Sequence, residues 1–240
     1  MGQGVAWAAR ELEVPCTVVV PDHAPETKLA AIERLGGQIR KVSYEQWWEA
    51  IETSSFPEAE GAFVHPVQDE RVMAGNGTIG LEILEDLPDP DVVLVPFGGG
   101  GLSTGIASAL KQIRPDTRVY AVEPETGAPA TASFAAGEPR SVKYQPSFVD
   151  GSGAQAVLAP MWPRVHEALD GAFAVSLDET AAAVRLLAEL ARVVAEGAGG
   201  LALAAALAGK GGGERVVCIV SGGNIDSSKL ATILGGETPT

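Results

Sequence analysis

The stretch VVLVPFGGGGLSTG, residues 92–105, decides the fold of this chain. Residues 92–95 form a β-branched apolar run that predicts a buried strand, and Pro96 ends it. Four glycines follow, and an apolar, helix-like segment begins at Leu102. The N–H groups of such a loop can converge on one anion because no Cβ blocks the approach, and the helix N-terminus adds favourable charge. The pattern therefore favours a phosphate site over a simple tight turn.

This loop alone leaves open which kind of phosphate compound it binds. It contains no lysine, which excludes the G-x-x-x-x-G-K-[ST] nucleotide loop. Gly98, Gly100 and a small residue further on nominally satisfy the dinucleotide pattern G-x-G-x-x-G. That pattern also requires an acidic residue about 20 residues later, and Glu123 lies near that position. A dinucleotide-binding (Rossmann) protein therefore stays open as an alternative.

Composition excludes several classes of partner. The 240 residues are 46% hydrophobic, which suffices for one large domain or two modest ones. The net charge of −14 repels nucleic acid and anionic membranes, so we expect small-molecule chemistry. No apolar run is long enough to predict a membrane span, and no signal pattern opens the chain. Cys16 and Cys218 lie far apart in apolar runs and are expected to be reduced residues of a cytoplasmic protein.

Strand and helix signals alternate along the whole chain. Strands are predicted at residues 16–20, 39–42, 62–64, 92–95, 118–122, 172–176 and 215–220. Helices are predicted at residues 4–13, 26–35, 44–53, 80–87, 102–113, 178–194 and 201–207. Short apolar strands separated by helices predict an α/β fold, with parallel sheets covered by helices on both faces. Sites in such folds lie beyond the carboxyl ends of the strands, where the glycine loop and Ser221-Gly222-Gly223-Asn224 are both expected.

A series of short motifs carries a family resemblance. In chain order they are Gly2-Gln3-Gly4-Val5-Ala6, Val19-Val20-Pro21 with Lys28, His65-Pro66, Ala74-Gly75-Asn76-Gly77-Thr78, Pro96-Phe97-Gly98-Gly99-Gly100-Gly101-Leu102, Val122-Glu123-Pro124, Val194-Ala195-Glu196-Gly197-Ala198 and Ser221-Gly222-Gly223-Asn224-Ile225-Asp226. Together they resemble the fold-type-II pyridoxal-phosphate enzymes, the tryptophan synthase β superfamily. Within that group the chain is most similar to threonine/serine dehydratases and serine racemase.

The resemblance implies a two-domain architecture and a pyridoxal 5′-phosphate (PLP) site. Residues 1–67 correspond to the remainder of a small mobile domain, and residues 68–240 to the main part of the large PLP-binding domain. The implied cofactor-binding residues are Gly98, Gly99, Gly100, Gly101, Leu102, Gly151, Glu196, Ser221 and Gly222. In this correspondence the glycine loop holds the 5′-phosphate, Gly151 and Glu196 border the ring, and Ser221 faces the pyridine nitrogen.

The role of Ser221 also has a chemical argument of its own. A hydroxyl donates to an unprotonated pyridine nitrogen, whereas a carboxylate would keep that nitrogen protonated. The neutral ring is a weaker electron sink, which suits elimination of a β-hydroxyl group. The competing interpretation is that Ser221 caps the last helix, predicted to begin near Asp226 or Ser227.

The chain departs from the family pattern at its beginning. The family's Schiff-base lysine, in a Ser-x-Lys-x-Arg setting, and its Ser-x-Gly-Asn loop have no counterpart in this sequence. We therefore expect an N-terminally truncated member and assign no catalytic residue, because the remaining lysines are in surface-like contexts. Loss of that segment should expose apolar area, so we expect marginal stability or rescue by dimerisation, with a homodimer as the expected state.

The resemblance also raises the question of a divalent cation. Glu123 and the carbonyl of Gly127 correspond to two of the ligands used by several relatives. The third position is Pro129, which has no side-chain ligand, so a cation is possible but not favoured.

The implied activity is that of a PLP-dependent ammonia-lyase. Loss of water from threonine or serine gives an aminoacrylate, which hydrolyses to a 2-oxo acid and ammonia. Three alternatives stay open: a serine-racemase-like isomerase, a catalytically dead remnant that still binds PLP or phosphate, and the dinucleotide-binding protein. The sequence leaves the choice of amino-acid substrate open.

Overall fold

The structure is a computed structural model that describes residues 1–239. The helices are α1 Gly2–Glu11, α2 Glu26–Arg34, α3 Tyr44–Thr53, α4 Glu70–Asp86, α5 Gly101–Ile113, α6 Pro129–Ala136, α7 Trp162–Ala168, α8 Leu177–Leu186, α9 Gly197–Leu207 and α10 Ser227–Leu234. The strands are β1 Thr17–Pro21, β2 Gln38–Val42, β3 Val92–Pro96, β4 Arg118–Pro124, β5 Gly171–Val175 and β6 Val216–Cys218. A π-helical turn, Leu187–Ala191, continues α8.

The contacts divide the chain into two compact units, Met1–Pro66 and Val67–Thr240. The sequence-based boundary was placed one residue further on, after residue 67, and the role of each unit stays a prediction. In Met1–Pro66, β1 and β2 pair in parallel, with Thr17 opposite Gln38. A capping box of Ser43 and Gln46 starts α3, which supplies buried Ala50 and Ile51.

The Val67–Thr240 unit is built on a parallel sheet with the strand order β5-β4-β3-β6. β3 lies inside the sheet and is buried along its whole length. Val92 and Leu94 belong to the core cluster that includes residues of α8, α9 and α10. Val93 and Val95 belong to the opposite cluster, which includes residues of α4, α5 and α7. Alternate side chains of β3 therefore reach two helical layers, and the predicted α/β class with helices on both faces is confirmed.

The helices α4 and α5 approach each other until their backbones touch. A Cβ placed on Gly105 would lie 2.3 Å from the carbonyl oxygen of Met73. A Cβ on Gly80 would lie 2.9 Å from the carbonyl oxygen of Ile106. Glycine at these positions lets the two helices pack at this distance, and the packing holds the start of α5 behind the glycine loop.

The structure corrects several sequence-based boundaries. Residues 62–64 are not a strand, because no neighbouring strand pairs with them in residues 1–239. The helix predicted to reach residue 194 ends earlier: α8 ends at Leu186 and the π-helical turn at Ala191. Arg192 then adopts a left-handed backbone conformation with φ 61°, which turns the chain toward Glu196. The helices α6 and α7 were not predicted, and α4 begins at Glu70, well before residue 80.

None of the helices formed by residues 1–239 combines the length and the apolar character that crossing a membrane requires.

Candidate functional site

The glycine loop joins β3 to α5 at the carboxyl end of the sheet. The N–H of Phe97 donates to the carbonyl of Val122 at 2.8 Å, which fixes the base of the loop. Gly100 precedes α5 with φ 94°, a conformation that favours glycine. The first N–H groups of a helix have no carbonyl partner within that helix, and they carry partial positive charge. The loop therefore presents the donors and the potential that a phosphate group needs.

A second segment lies beside this loop. A Cβ on Gly98 would lie 3.5 Å from the carbonyl oxygen of Gly151 and 3.7 Å from the Cα of Ser152. The Ser152 hydroxyl and the Gly153 N–H both donate to the carbonyl of Phe97. These bonds hold Gly151 next to the glycine loop, and its role toward the cofactor ring stays a prediction. Sequence reasoning missed Ser152, because a lone serine in a segment rich in Pro, Gly and Ser carries no distinctive signal.

Glu196 connects Gly151 to Gly222. Its backbone N–H donates to the carbonyl of Gly222 at 2.9 Å. A Cβ on Gly222 would lie 2.5 Å from the Glu196 Oε1, and a Cβ on Gly151 would lie 3.1 Å from the same oxygen. The carboxylate therefore occupies the space that side chains at these two positions would fill. Glu196 is also the residue that precedes α9, so its own backbone position is fixed by that helix.

Ser221 lies beyond the carboxyl end of β6, on the same side of the sheet as the glycine loop that follows β3. β6 runs parallel to β3 with Cys218 opposite Leu94, and the N–H of Ile219 donates to the carbonyl of Leu94 at 3.0 Å. Ser221 follows Cys218 by the same number of residues as Phe97 follows Leu94. Asp226, not Ser221, is the residue that precedes α10. The structure therefore removes the helix-capping interpretation of Ser221.

A half-buried lysine lies close to Glu196. Lys229 lines a small cleft together with Phe148, Asp150, Glu196 and Asp226. Three of these four neighbours carry a carboxyl group. We assign Lys229 no covalent role toward a cofactor.

Glu123 has a structural task in this fold. Its Oε1 accepts the Ala130 N–H at 3.0 Å, and its Oε2 accepts the N–H and the hydroxyl of Thr131 at 2.8 and 2.9 Å. The carboxyl group thus binds the first turn of α6, and the side chain is fully buried. Burial raises the pKa of Glu123 to about 7, although the hydrogen bonds from Thr131 and Ala130 oppose that rise.

These contacts do not fit a divalent cation at Glu123 and Gly127. Both Glu123 oxygens already accept hydrogen bonds, and the Gly127 carbonyl accepts the N–H of Ala154 at 3.3 Å. Residues 1–239 contain no group of three or more His, Cys, Asp or Glu side chains arranged to hold a metal. In a dinucleotide-binding protein, the acidic residue at this position binds the ribose 2′-hydroxyl. Glu123 does not fit that role, because its oxygens are buried against α6.

The fold and this edge of the sheet define a class of protein. It is a parallel α/β protein whose glycine loop and α5 N-terminus lie at the carboxyl ends of its strands, an arrangement suited to a phosphate group. The loop donors fit the 5′-phosphate of PLP, and the Glu196 carboxylate lies where side chains at Gly151 and Gly222 would be.

The comparison with protein families makes the assignment specific. The profile of the family "Pyridoxal-phosphate dependent enzyme" matches residues 1–222. The chain belongs to this family, whose cofactor is pyridoxal phosphate.

Individual relatives agree with this assignment. L-threonine ammonia-lyase of Thermotoga maritima is 39% identical over 236 residues, which are 97% of this chain and 58% of that protein. Serine racemase of Rattus norvegicus is 33% identical over 244 residues, 99% of this chain and 73% of the relative. Among solved structures, processed threonine deaminase isoform 2 of Solanum lycopersicum is 31% identical with a TM-score of 0.84, covering 98% of this chain and 70% of that one.

The chain thus spans only part of each relative, and in the Thermotoga protein little more than half of the length.

Proposed function

We propose that this chain is the cofactor-binding part of a PLP-dependent ammonia-lyase that acts on threonine or serine and releases a 2-oxo acid and ammonia. One observation carries the proposal: the glycine loop, Gly151, Glu196 and Gly222 converge at one edge of the sheet that also holds Ser221. The similarity to L-threonine ammonia-lyase supports the choice of reaction. The similarity to serine racemase keeps an isomerase as a neighbouring possibility.

Each element of the site has a distinct task in this proposal. The N–H groups of Gly98–Gly101 and Leu102 bind the phosphate group at the start of α5. The Ser221 hydroxyl donates to the ring nitrogen, and Glu196 keeps its neighbours Gly151 and Gly222 in position. The cofactor, when bound, supplies the electron sink for a substrate carbanion. No residue of the chain is assigned as the proton-transfer base.

A second candidate is a protein that binds PLP without catalysis. Its support is that the sequence contains no Ser-x-Lys-x-Arg segment of the kind that carries the Schiff-base lysine in the family that residues 1–240 resemble. In this case PLP stays bound noncovalently through its phosphate and ring contacts.

The test is to incubate the purified chain with PLP and then with L-threonine or L-serine. Formation of 2-oxobutanoate or pyruvate with ammonia establishes the lyase, and formation of D-serine establishes the isomerase. Saturable PLP binding without product, not trapped by borohydride, establishes the noncatalytic candidate. A chain that binds NAD and not PLP overturns the proposal.

Two substitutions of Gly98 that differ only in charge test whether the glycine loop binds a phosphate group. Gly98→Asp places a carboxylate beside the bound phosphate, so we expect PLP affinity to fall at least about a hundredfold, whereas Gly98→Asn should lose far less. Both variants should fold normally, because a Cβ at Gly98 makes only ordinary contacts at 3.5 and 3.7 Å. Fluorescence titration with PLP measures the difference. Equal losses in the two variants would show that no anion binds at this loop.

A further inference from the structure

Four aromatic rings form a cluster at the start of α3, in the Met1–Pro66 unit. The ring centroid of Tyr44 lies 5.8 Å from that of Trp47 and 6.4 Å from that of Trp48. The His23 ring lies 5.9 Å from Tyr44, and the two indole rings lie 6.2 Å apart. Tyr44 is 46% exposed, and both tryptophans are half-buried. The cluster therefore presents aromatic surface to solvent on rings that are partly anchored in the fold.

Local structure fixes the positions of these rings. The strands β1 and β2 end side by side, and the N–H of Asp22 donates to the carbonyl of Val42 at 2.8 Å. The turn that carries His23 therefore lies next to the start of α3. The capping box makes Tyr44 the first residue of that helix. The two tryptophans follow by three and four positions, which brings all three rings to one face of the helix.

Two carboxylates accompany the aromatic cluster. The Oδ1 of Asp22 lies 3.1 Å from the Nδ1 of the neighbouring His23. The pKa of Glu45 lies below its ordinary value, because hydrogen bonds from its own backbone N–H and from Ser43 favour the ionised form, while the charge of Asp22 opposes them. Glu45 is therefore ionised at neutral pH, and it lies near enough to Asp22 for the two charges to interact.

The cations of the neighbouring strand β2 are engaged elsewhere. Lys41 pairs with Glu26 at 3.0 Å, and Arg40 pairs with Glu58. Within residues 1–239, Glu45 forms no ion pair. The aromatic cluster thus combines ring faces with negative charge that the described chain does not balance.

We propose that the aromatic cluster binds a small organic cation, with a quaternary ammonium group as the preferred chemistry. A cation over the face of a tryptophan or tyrosine ring is attracted by the negative face of its π-system. A quaternary ammonium group has no N–H that requires a hydrogen-bond acceptor, so rings can contact it on several sides. The net charge of −14 attracts the same ligand over longer distances. The aromatic cluster lies wholly within Met1–Pro66, and the proposal is independent of the proposed function.

Two ligands of the same shape test whether charge drives this binding. Choline and 3,3-dimethylbutan-1-ol differ in that a charged quaternary nitrogen replaces a neutral quaternary carbon. In calorimetric titrations of the full chain, choline should bind at least about tenfold more tightly. Its affinity should fall as salt increases, because exposed carboxylates contribute to it. Equal affinities for the two ligands, or no binding of choline, would overturn the proposal.

A matched pair of variants tests the position of the site. Tyr44→Leu removes the ring that contacts all the others, so the affinity for choline should fall about fivefold or more. Trp7→Leu, at a residue that is 53% exposed on α1 of the same unit, is the control and should leave that affinity unchanged. Circular dichroism establishes that both variants fold. Equal losses in the two variants would contradict a site at the start of α3.

Glu45→Gln separates the charge from the rings and does not depend on the tyrosine variant. Glutamine keeps the size of the side chain and removes its charge. The affinity for choline should fall, and the weak affinity for the neutral alcohol should stay the same. The same calorimetric titrations measure both. An unchanged affinity for choline would show that Glu45 does not face the ligand and would overturn the assignment.

Discussion

Replacing Gly105 by alanine is expected to destabilise the Val67–Thr240 unit by about 3 kcal/mol or more. The new Cβ would lie 2.3 Å from the carbonyl oxygen of Met73 and 2.9 Å from the Cβ of Asn76. The nearest atom belongs to the backbone of α4, so no side-chain rotation can relieve the overlap. The two helices would have to separate along a tightly packed contact. The denaturation midpoint of the purified chain in urea measures this loss.

Gly75→Ala is the matched control for that variant. Gly75 also lies inside a helix, but it is exposed, and a Cβ there has nothing within 4 Å. Alanine in an exposed helix interior should stabilise the protein by up to about 1 kcal/mol, because it restricts the unfolded chain. The two variants therefore have opposite expected signs. If Gly105→Ala proved as harmless as Gly75→Ala, the close backbone contact between α4 and α5 would be refuted.

The second large effect is a dependence of stability on pH that originates at Glu123. Burial raises the pKa of this carboxyl group from 4.5 to about 7, so the folded state prefers the protonated form. The stabilisation is complete below pH 4.5, where both states bind the proton. It disappears as pH rises through 7, because the folded protein must then hold a buried charge. The total loss is about 3 kcal/mol, from about 1.4 kcal/mol for each pH unit between the two pKa values.

Glu123→Gln isolates this contribution. Glutamine resembles the protonated acid in shape and charge, so the variant should show a smaller loss of stability than the wild type between pH 5 and pH 8. Urea denaturation across that pH range measures both slopes. Glu125→Gln is the control, because Glu125 lies two residues along the chain, is exposed and undergoes the same change of charge. Equal slopes in the wild type and Glu123→Gln would contradict a raised pKa at Glu123.

The predictions that held rest on local patterns. The β-branched run before Pro96 and the glycines after it are sufficient to define β3, the loop and the start of α5. Helix α3 was predicted with its observed bounds, because a capping serine and an apolar face are both readable in the sequence. The match of residues 1–222 to the pyridoxal-phosphate family confirms the resemblance that the motifs carry.

The predictions that failed depend on partners distant in sequence. Residues 62–64 have a strand-like composition, but a strand needs a neighbour, and none pairs with them in residues 1–239. The segment after α8 has helical propensity, yet it turns at Arg192 and leads to Glu196, whose N–H binds the carbonyl of Gly222. The hydrogen bond from Ser152 to Phe97 joins residues 55 positions apart.

By itself, the sequence determined the α/β class, the glycine loop between β3 and α5, and the family, because strand composition, glycine runs and motif order are local properties of the chain. Only the tertiary structure decided that Glu196 occupies the space beside Gly151 and Gly222, that Glu123 caps α6, and that β6 lies at an edge. The physical reason is that a side chain's burial, and therefore its pKa and its hydrogen-bond partners, depends on which segments the fold brings around it.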